Sequence, residues 1–275
     1  MRVARRRLPL QVQPLEGESI DSWLEASALA MGITVGTLAA AADLPATSMP
    51  TWKVWLSPAQ SQSLAAATGA PPESLEAMTL SKYEGVALRL NSESRRLEPD
   101  FPFGPLSWSR FCPACLRETG GRWQLRWRLG WSFACVQHNC LLVDVCPGCG
   151  SHQRSTQSYR RRPSPAACGC GDALNMAPTL RLFGDDHSFL WAQRIVYDFI
   201  ETGAAGFGVF QEHPQPQPEV LAAVRSLANR TLNLASKRIF VITKLVDEST
   251  RQVTRPTKRS LIGDPLPTST RGWRA

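Results

Sequence analysis

The stretch that decides the fold reads FCPAC at residues 111–115, CVQHNC at 135–140, CPGCG at 146–150 and CGC at 168–170. These short motifs contain all eight cysteines of the 275-residue chain. Tetrahedral zinc sites are built from such closely spaced pairs, separated by loops of about twenty residues, because each pair occupies one tight turn and two turns close one site. The stretch therefore predicts metal binding.

Taken in chain order, the donor side chains form two sets of four. The first set is Cys112, Cys115, Cys135 and His138, and the second is Cys146, Cys149, Cys168 and Cys170. Neither set leaves an open position, which is typical of structural rather than catalytic zinc. The sequence therefore predicts two tandem zinc ribbons, each holding one structural Zn²⁺ ion.

Cys140 is left over by this pairing. Leu141 and Leu142 follow it, which favours a small buried apolar residue over a fifth ligand. An interleaved, cross-braced pairing of the same eight ligands stays open. It would resemble a ubiquitin-ligase RING, although Val143 stands where that pattern has a cysteine.

A disulfide framework is the alternative that an even cysteine count permits. The size of the chain and the occurrence of the cysteines in CxxC pairs beside a histidine disfavour it, and the first residues carry no export signal. No apolar run approaches the roughly 18 residues that a membrane span needs. We therefore expect a soluble, cytoplasmic protein that does not enter a membrane.

Composition then divides the chain into segments. It predicts a mainly α fold with a small β component: an N-terminal helical, helix-turn-helix-like module at 1–90, a linker at 91–110, the tandem zinc ribbons at 111–180, a short C-terminal helical region at 181–245 and a basic, disordered tail at 246–275. The linker is expected to dock its aromatic residues on the ribbons.

Two segments of the N-terminal module repeat one spacing. A small residue, a glycine and an apolar residue follow one another as Ala28, Gly32 and Leu38, and again as Ala65, Gly69 and Leu75. Helix-turn-helix motifs have this pattern. The candidate recognition stretches, residues 35–42 and 72–80, carry almost no arginine or lysine, so contact with a partner protein stays open beside DNA reading.

Residues 122–133 alternate between large apolar and polar side chains. Period two predicts a strand with one apolar and one basic face. The tryptophans are expected to build the core of the ribbons. The arginines of this strand and of the loop inside the second ribbon are candidate phosphate contacts in a chain of net charge +8. These candidates are Arg122, Arg126, Arg128, Arg160, Arg161 and Arg162.

Motifs of catalysis are not found in the sequence. It contains no phosphate-binding P-loop, no GxSxG elbow and no deaminase pairing of HxE with PCxxC. Asp185 and Asp186 form the one paired carboxylate of interest, and such a pair is more often a helix cap than a metal site. The sequence therefore predicts that the protein is not an enzyme.

Two long stretches carry a family resemblance. The run GGRWQLRWRLGWSFACVQHNCLLVDVCPGCG, residues 120–150, follows SRFCPACL and precedes CGCGDAL. Together with LPLQVQPLEGESIDSWLEASALAMG at residues 8–32, it resembles the TniQ family, which includes the TnsD target selectors of bacterial transposons. The resemblance covers about residues 8–180, and the eight metal ligands named above occupy the ligand positions of the family.

The resemblance implies a DNA-targeting accessory protein of transposition. Such a protein would have helix-turn-helix and zinc-ribbon modules and would link target DNA, or a DNA-bound partner, to an AAA+ ATPase regulator. A homodimer is left open. The alternatives are a zinc-containing transcription regulator or domesticated TniQ-like remnant, and an adaptor that binds proteins but not DNA.

Overall fold

The structure, a computed structural model, describes residues 7–44, 49–98, 105–155, 159–183, 187–203, 205, 207–213 and 215–231. By compactness the chain divides into two units, Met1–Arg225 and Ser226–Ala275. In the second unit, residues 226–231 are described, and they are helical. The predicted tail, residues 232–245 of the predicted C-terminal region, and the carboxylates Asp185 and Asp186 lie outside the described residues.

The N-terminal part is helical, as predicted. Its helices are α1 (Ile20–Ala30), α2 (Val35–Ala41), α3 (Met49–Trp52), α4 (Pro58–Thr68) and α5 (Pro72–Ala77), followed by a 3-10 turn at Leu80–Tyr83. Their apolar faces enclose a core that includes the buried side chains of Trp23, Leu38, Trp52 and Leu64. Burial of such large apolar side chains is the main source of stability for a module of this size.

Local signals set the ends of these helices. The side chain of Thr34 accepts a hydrogen bond from the amide of Thr37 at the start of α2. Ser57 and Gln60 form a capping box at the start of α4, and Gly69 ends that helix with φ 79°. Ser19 precedes α1, but its side chain forms no capping hydrogen bond.

The cysteine-rich part combines a short helix with a small hairpin. Helix α6 spans Pro113–Glu118, and the strands β1 (Ala134–Cys135) and β2 (Cys140–Leu141) pair antiparallel, with Cys135 opposite Cys140. Phe111 exchanges both backbone hydrogen bonds with Val143, which adds an isolated bridge. The described residues thus form a mainly helical fold with one two-stranded sheet, which confirms the predicted fold class in outline.

The strand predicted at residues 122–133 is wrong. The segment contains a 3-10 turn at Leu125–Arg128, and its amide groups do not pair with a neighbouring strand. The amide of Leu129 donates to the carbonyl of Arg126, that of Leu125 to the carbonyl of Gly17, and that of Phe133 to the side chain of Gln193. The alternation nevertheless predicted burial correctly on the apolar side, since Trp123 and Trp127 are buried.

The C-terminal helices close the first unit. Helix α7 spans His187–Thr202, α8 spans Val209–Glu212, and residues 217–225, the end of this unit, are helical. Apolar residues of this region, including Phe199 and Val220, share one core with Tyr83 and Leu129. The division of the chain into the five predicted segments stays a prediction.

Within the described residues, no single helix is long and apolar enough to cross a membrane. Only α1 and α2 together meet the criterion of length and composition, and they form a pair bent by 92°.

Candidate metal centres and nucleic-acid surface

The first metal site gathers its donors at the spacing of a tetrahedron. The donor atoms of Cys112, Cys115, Cys135 and His138 all lie within 4.8 Å of one another. The Nδ1 atom of His138 lies 3.5, 3.2 and 3.5 Å from the sulfurs of Cys112, Cys115 and Cys135 in turn. Metal–sulfur bonds of about 2.3 Å give tetrahedral edges of about 3.8 Å, so the site fits a tetrahedrally bound ion.

Two local structures bring these donors together. Cys112 is the N-cap of α6, Pro113 occupies the first helical position, and Cys115 lies in the first turn of that helix. Cys135 belongs to β1, and His138 lies in the turn that joins β1 to β2. The start of α6 therefore faces the hairpin, and the site lies between them.

A carboxylate orients the histidine. The Nε2 atom of His138 lies 2.9 Å from Oε1 of Glu118 at the end of α6, while its Nδ1 atom faces the sulfurs. A carboxylate on the far ring nitrogen fixes the tautomer and orientation of a metal-binding histidine. The sequence analysis missed Glu118. Its position three residues after Cys115, one turn along the same helix, is the signal that could have found it.

The second metal site lies between two hairpin turns. Its donors are Cys146, Cys149, Cys168 and Cys170, and they too lie within 4.8 Å of one another. The amide of Cys146 donates to the carbonyl of Ser151, and the amide of Cys168 donates to that of Asp172. Gly150 and Gly171 have φ values of 70° and 98°, which side chains rarely adopt. Each turn thus holds one cysteine pair in a fixed geometry.

Hydrogen bonding favours the thiolate form of one ligand of the second site, Cys149. Hydrogen bonds from Ser151 lower the pKa of Cys149 to about 6, and the side-chain amide of Gln153 donates to the sulfur of Cys168 at 3.5 Å. A thiol with a lowered pKa is already ionised at neutral pH, as metal binding requires. Cys149 and Cys170 are exposed, so this site lies closer to the surface than the first.

The structure therefore brings together all eight predicted ligands. It groups them in chain order, so the cross-braced arrangement is not the one observed. Among the described residues, no further group of three or more metal-binding side chains accompanies these two. Trp108 of the predicted linker stacks on His152 with ring centroids 4.1 Å apart, as expected for a linker that packs on the cysteine-rich part.

The three arginines of residues 122–128 do not form an exposed basic face. Arg122 pairs with Glu18, and Arg128, whose side chain is 1% exposed, pairs with Asp21 at 2.6 Å. The guanidinium of Arg126 lies 4.5 Å from the ring centroid of Tyr197. A buried and paired guanidinium has no free surface for a phosphate. Arg128 is therefore not a phosphate contact.

Arg154 is a further buried arginine with two acidic partners. Its guanidinium pairs with Asp21 at 3.0 Å and with Glu25, and it lies 4.8 Å from the ring centroid of Trp123. Burial disfavours its charge, but Glu25 and Asp21 outweigh this effect and raise the pKa of Arg154. Burial likewise disfavours the ionised form of Asp21, yet Arg128 and Arg154 hold its pKa below its ordinary range.

The acidic partners of these arginines lie in the first helix and just before it. Asp21 and Glu25 are four residues apart in α1 and lie on one face of that helix, and Glu18 directly precedes its N-cap residue, Ser19. All three are paired with arginines from residues 122–154. This ion-pair face joins the helical module to residues 122–128 and to Arg154, which follows the first turn of the second metal site. The sequence analysis did not predict it.

The other three predicted arginines are exposed. Arg160, Arg161 and Arg162 are exposed, and none of them forms an ion pair or hydrogen bond with a residue in the described ranges. Their loop docks on α2, because the carbonyl of Tyr159 accepts a hydrogen bond of 3.0 Å from the amide of Gly36. The structure thus places Tyr159, the residue before the three arginines, against a helix that lacks basic residues of its own.

The fold and the site define a class of protein in which a helical module is joined by buried ion pairs to two tetrahedral Cys/His clusters. Residues 9–142, slightly less than half of the chain, match the model of the TniQ family, in agreement with the resemblance read from the sequence. The match spans the helical module and the whole first metal site. TniQ proteins are associated with transposition and DNA targeting. A search of curated proteins gave no match to the chain.

Proposed function

We propose that this protein is a non-catalytic, DNA-targeting adaptor of a TniQ-type transposition system. It would hold target DNA, or a DNA-bound partner, and present it to an AAA+ ATPase regulator. The TniQ domain supports the link with transposition. The exposed arginines that follow Tyr159 are the observation that supports the DNA-binding part, and the ATPase partner rests on the family alone.

We propose zinc as the ion of both sites. Three thiolates with one imidazole, and four thiolates, are donor sets that suit zinc in tetrahedral geometry. Each set is complete within the chain, so the ions would be structural. Bound zinc would hold the two turns of each site together, and structural sites of this kind contribute on the order of 10 kcal/mol to folding.

The proposed DNA surface combines α2 with the loop after Tyr159. Arg160, Arg161 and Arg162 supply three unpaired positive charges, and unpaired guanidinium groups form strong bidentate contacts with phosphate oxygens. Arg161 and Arg162 also line a cavity of about 370 Å³. This surface is better suited to the DNA backbone than residues 122–128, where the arginines contact acidic or aromatic side chains of the protein itself.

Helix α2 would lie at the groove. It follows α1 after a turn at Gly32 and is bent from it by 92°, within the range of about 90–120° found in helix-turn-helix motifs. The helix exposes Thr37 and no charged side chain. In this arrangement the loop arginines would position the protein on the DNA backbone, and the helix would make few contacts with the bases.

Duplex binding over a series of salt concentrations tests the proposal. The variant Arg160→Ala/Arg161→Ala/Arg162→Ala is expected to bind more weakly and to lower the slope of log K against log salt by up to about 2.7, which is about 0.9 for each phosphate that is no longer neutralised. The control Arg96→Ala/Arg117→Ala/Arg194→Ala removes the same charge from other exposed positions. Equal weakening in both variants would contradict a localised DNA surface.

Binding measurements on the same protein preparation distinguish the transposition adaptor from the two alternative functions. Binding that is indifferent to salt would favour an adaptor that contacts only proteins. Salt-steep DNA binding without association with an AAA+ ATPase encoded beside the gene would favour a transcription regulator. Association with that ATPase on DNA is the result expected for the transposition adaptor.

A further inference from the structure

Cys140, the cysteine outside both ligand sets, lies against the first metal site. Its side chain is buried, with 2% of its surface exposed, and its sulfur lies 3.8 Å from that of Cys112. This distance equals the edge of about 3.8 Å between two sulfurs bound to one zinc ion. The expectation of an ordinary apolar residue at this position does not account for such a contact.

The hairpin register explains why Cys140 lies there. Cys135 and Cys140 are direct partners across β1 and β2, and directly opposed residues of an antiparallel pair project from the same face of the sheet. The ligand Cys135 therefore brings Cys140 to the same side as the site. Strand β2 is fixed on its other side, since the amide of Leu141 donates to the carbonyl of Leu180 at 2.9 Å.

His138 and Cys140, the two candidates for the fourth ligand of the first metal site, have different surroundings. His138 lies in the turn between the strands and its side chain is 17% exposed, whereas Cys140 is anchored in β2. Both contact the sulfur of Cys112, at 3.5 Å and 3.8 Å respectively. A small shift of Cys140 could thus occupy a position that the imidazole leaves.

We propose that Cys140 is a fifth donor of the first metal site, which binds the ion when His138 is displaced. The inference rests on the proposed zinc. With His138 bound, the thiol of Cys140 donates its S–H to the thiolate of Cys112. On exchange, the bond from zinc to Nδ1 breaks, a bond from zinc to the Cys140 sulfur forms, and the thiol proton passes to the released imidazole or, when that is absent, to water.

Zinc content measured by elemental analysis tests this exchange. Wild type, His138→Ala and Cys140→Ala are each expected to hold about two ions per chain, and the double variant His138→Ala/Cys140→Ala about one, with the second site as an internal reference. A single remaining ion in His138→Ala would overturn the proposal. Wild-type protein with fewer than two ions would instead remove the zinc assignment on which it rests.

Cobalt substitution reports the donors directly. The sulfur-to-cobalt charge-transfer band of His138→Ala is expected to exceed that of the wild type, because one additional thiolate binds the ion. A band that is equal or weaker would show that Cys140 stays unbound and would contradict the exchange.

A third measurement applies if His138→Ala does not fold. Cys140→Ala, in an otherwise unchanged chain, is expected to release one zinc ion to a chelator faster than the wild type, because the replacement donor is absent. Val143→Ala is the matched control, since Val143 packs against the same cluster without a sulfur atom. Equal release rates in Cys140→Ala and the control would overturn the proposal.

Discussion

Nη1 of Arg154 lies 3.0 Å from Oδ2 of Asp21, although the two residues are 133 positions apart in the chain. The same carboxylate oxygen also accepts a hydrogen bond from Arg128 at 2.6 Å. Arg154 follows the first turn of the second metal site, and Asp21 belongs to α1. One buried carboxylate therefore connects the helical module to both parts of the cysteine-rich segment.

Removing this carboxylate is expected to destabilise the fold. Asp21→Ala leaves two buried guanidinium groups without their shared partner, and breaking a buried ion pair in this way costs about 3–5 kcal/mol. Chemical denaturation measures the change in free energy of unfolding. The control Asp144→Ala removes an exposed partner of Arg110 and should cost less than about 1 kcal/mol. Similar decreases in both variants would show that the buried pairs contribute no more than surface ones.

The pH dependence of stability is expected to follow from the same residue. Because the folded protein holds the pKa of Asp21 below the ordinary 3.8, the ionised carboxylate stabilises the fold above about pH 4, and this stabilisation is lost as the pH falls. The difference in unfolding free energy between wild type and Asp21→Asn should therefore shrink from about pH 6 to about pH 3. A difference that stays constant over this range would contradict the lowered pKa.

Glu118 is expected to strengthen metal binding at the first site. Loss of a carboxylate that orients a ligand histidine typically lowers metal affinity by about 10–100-fold. Glu118→Ala is best compared in a Cys140→Ala background, where the proposed fifth donor cannot mask the effect, and affinity is read by competition with a chelator. Glu73→Ala, an exposed glutamate on α5, is the control and should leave the affinity unchanged.

Gly36 is expected to control the position of the arginine loop. A Cβ atom at this position would lie 2.9 Å from the backbone carbonyl oxygen of Tyr159, which is closer than any normal contact. Gly36→Ala should therefore displace the loop, speed hydrogen exchange of the residue 36 amide and weaken DNA binding. Ala40→Gly loosens the same helix by about 1 kcal/mol without touching Tyr159. Equal DNA affinity in the two variants would show that the position of the arginine loop does not affect DNA binding.

The sequence predicted those features that depend on neighbours in the chain. The ligand pairs and the glycine between two helices at Gly69 each rest on a few adjacent residues, and local chemistry determines them. The alternation of residues 122–133 predicted the burial of the tryptophans for the same reason. It could not distinguish a strand from a 3-10 turn, because that choice depends on where the backbone finds its hydrogen-bond partners.

The roles of the arginines could not be predicted, because their partners are distant in sequence. Arg122 and Arg128 find Glu18 and Asp21, which lie 104 and 107 residues earlier in the chain. The sequence alone does not distinguish an arginine that pairs with a buried carboxylate from an arginine that binds a phosphate. Only the fold separates the paired group at residues 122–154 from the free group at residues 160–162.

The ion-pair face of α1 also constrains the order of events during synthesis. A ribosome makes Glu18 and α1 long before it makes Arg122, Arg128 and Arg154, so a nascent chain carries three acids whose partners in the folded protein have not yet been synthesised. The ion pairs of Asp21 and Glu25 with Arg154 can therefore form only after the first turn of the second metal site has been synthesised. A truncated chain that ends in the linker would thus leave α1 without the partners that fix it in place.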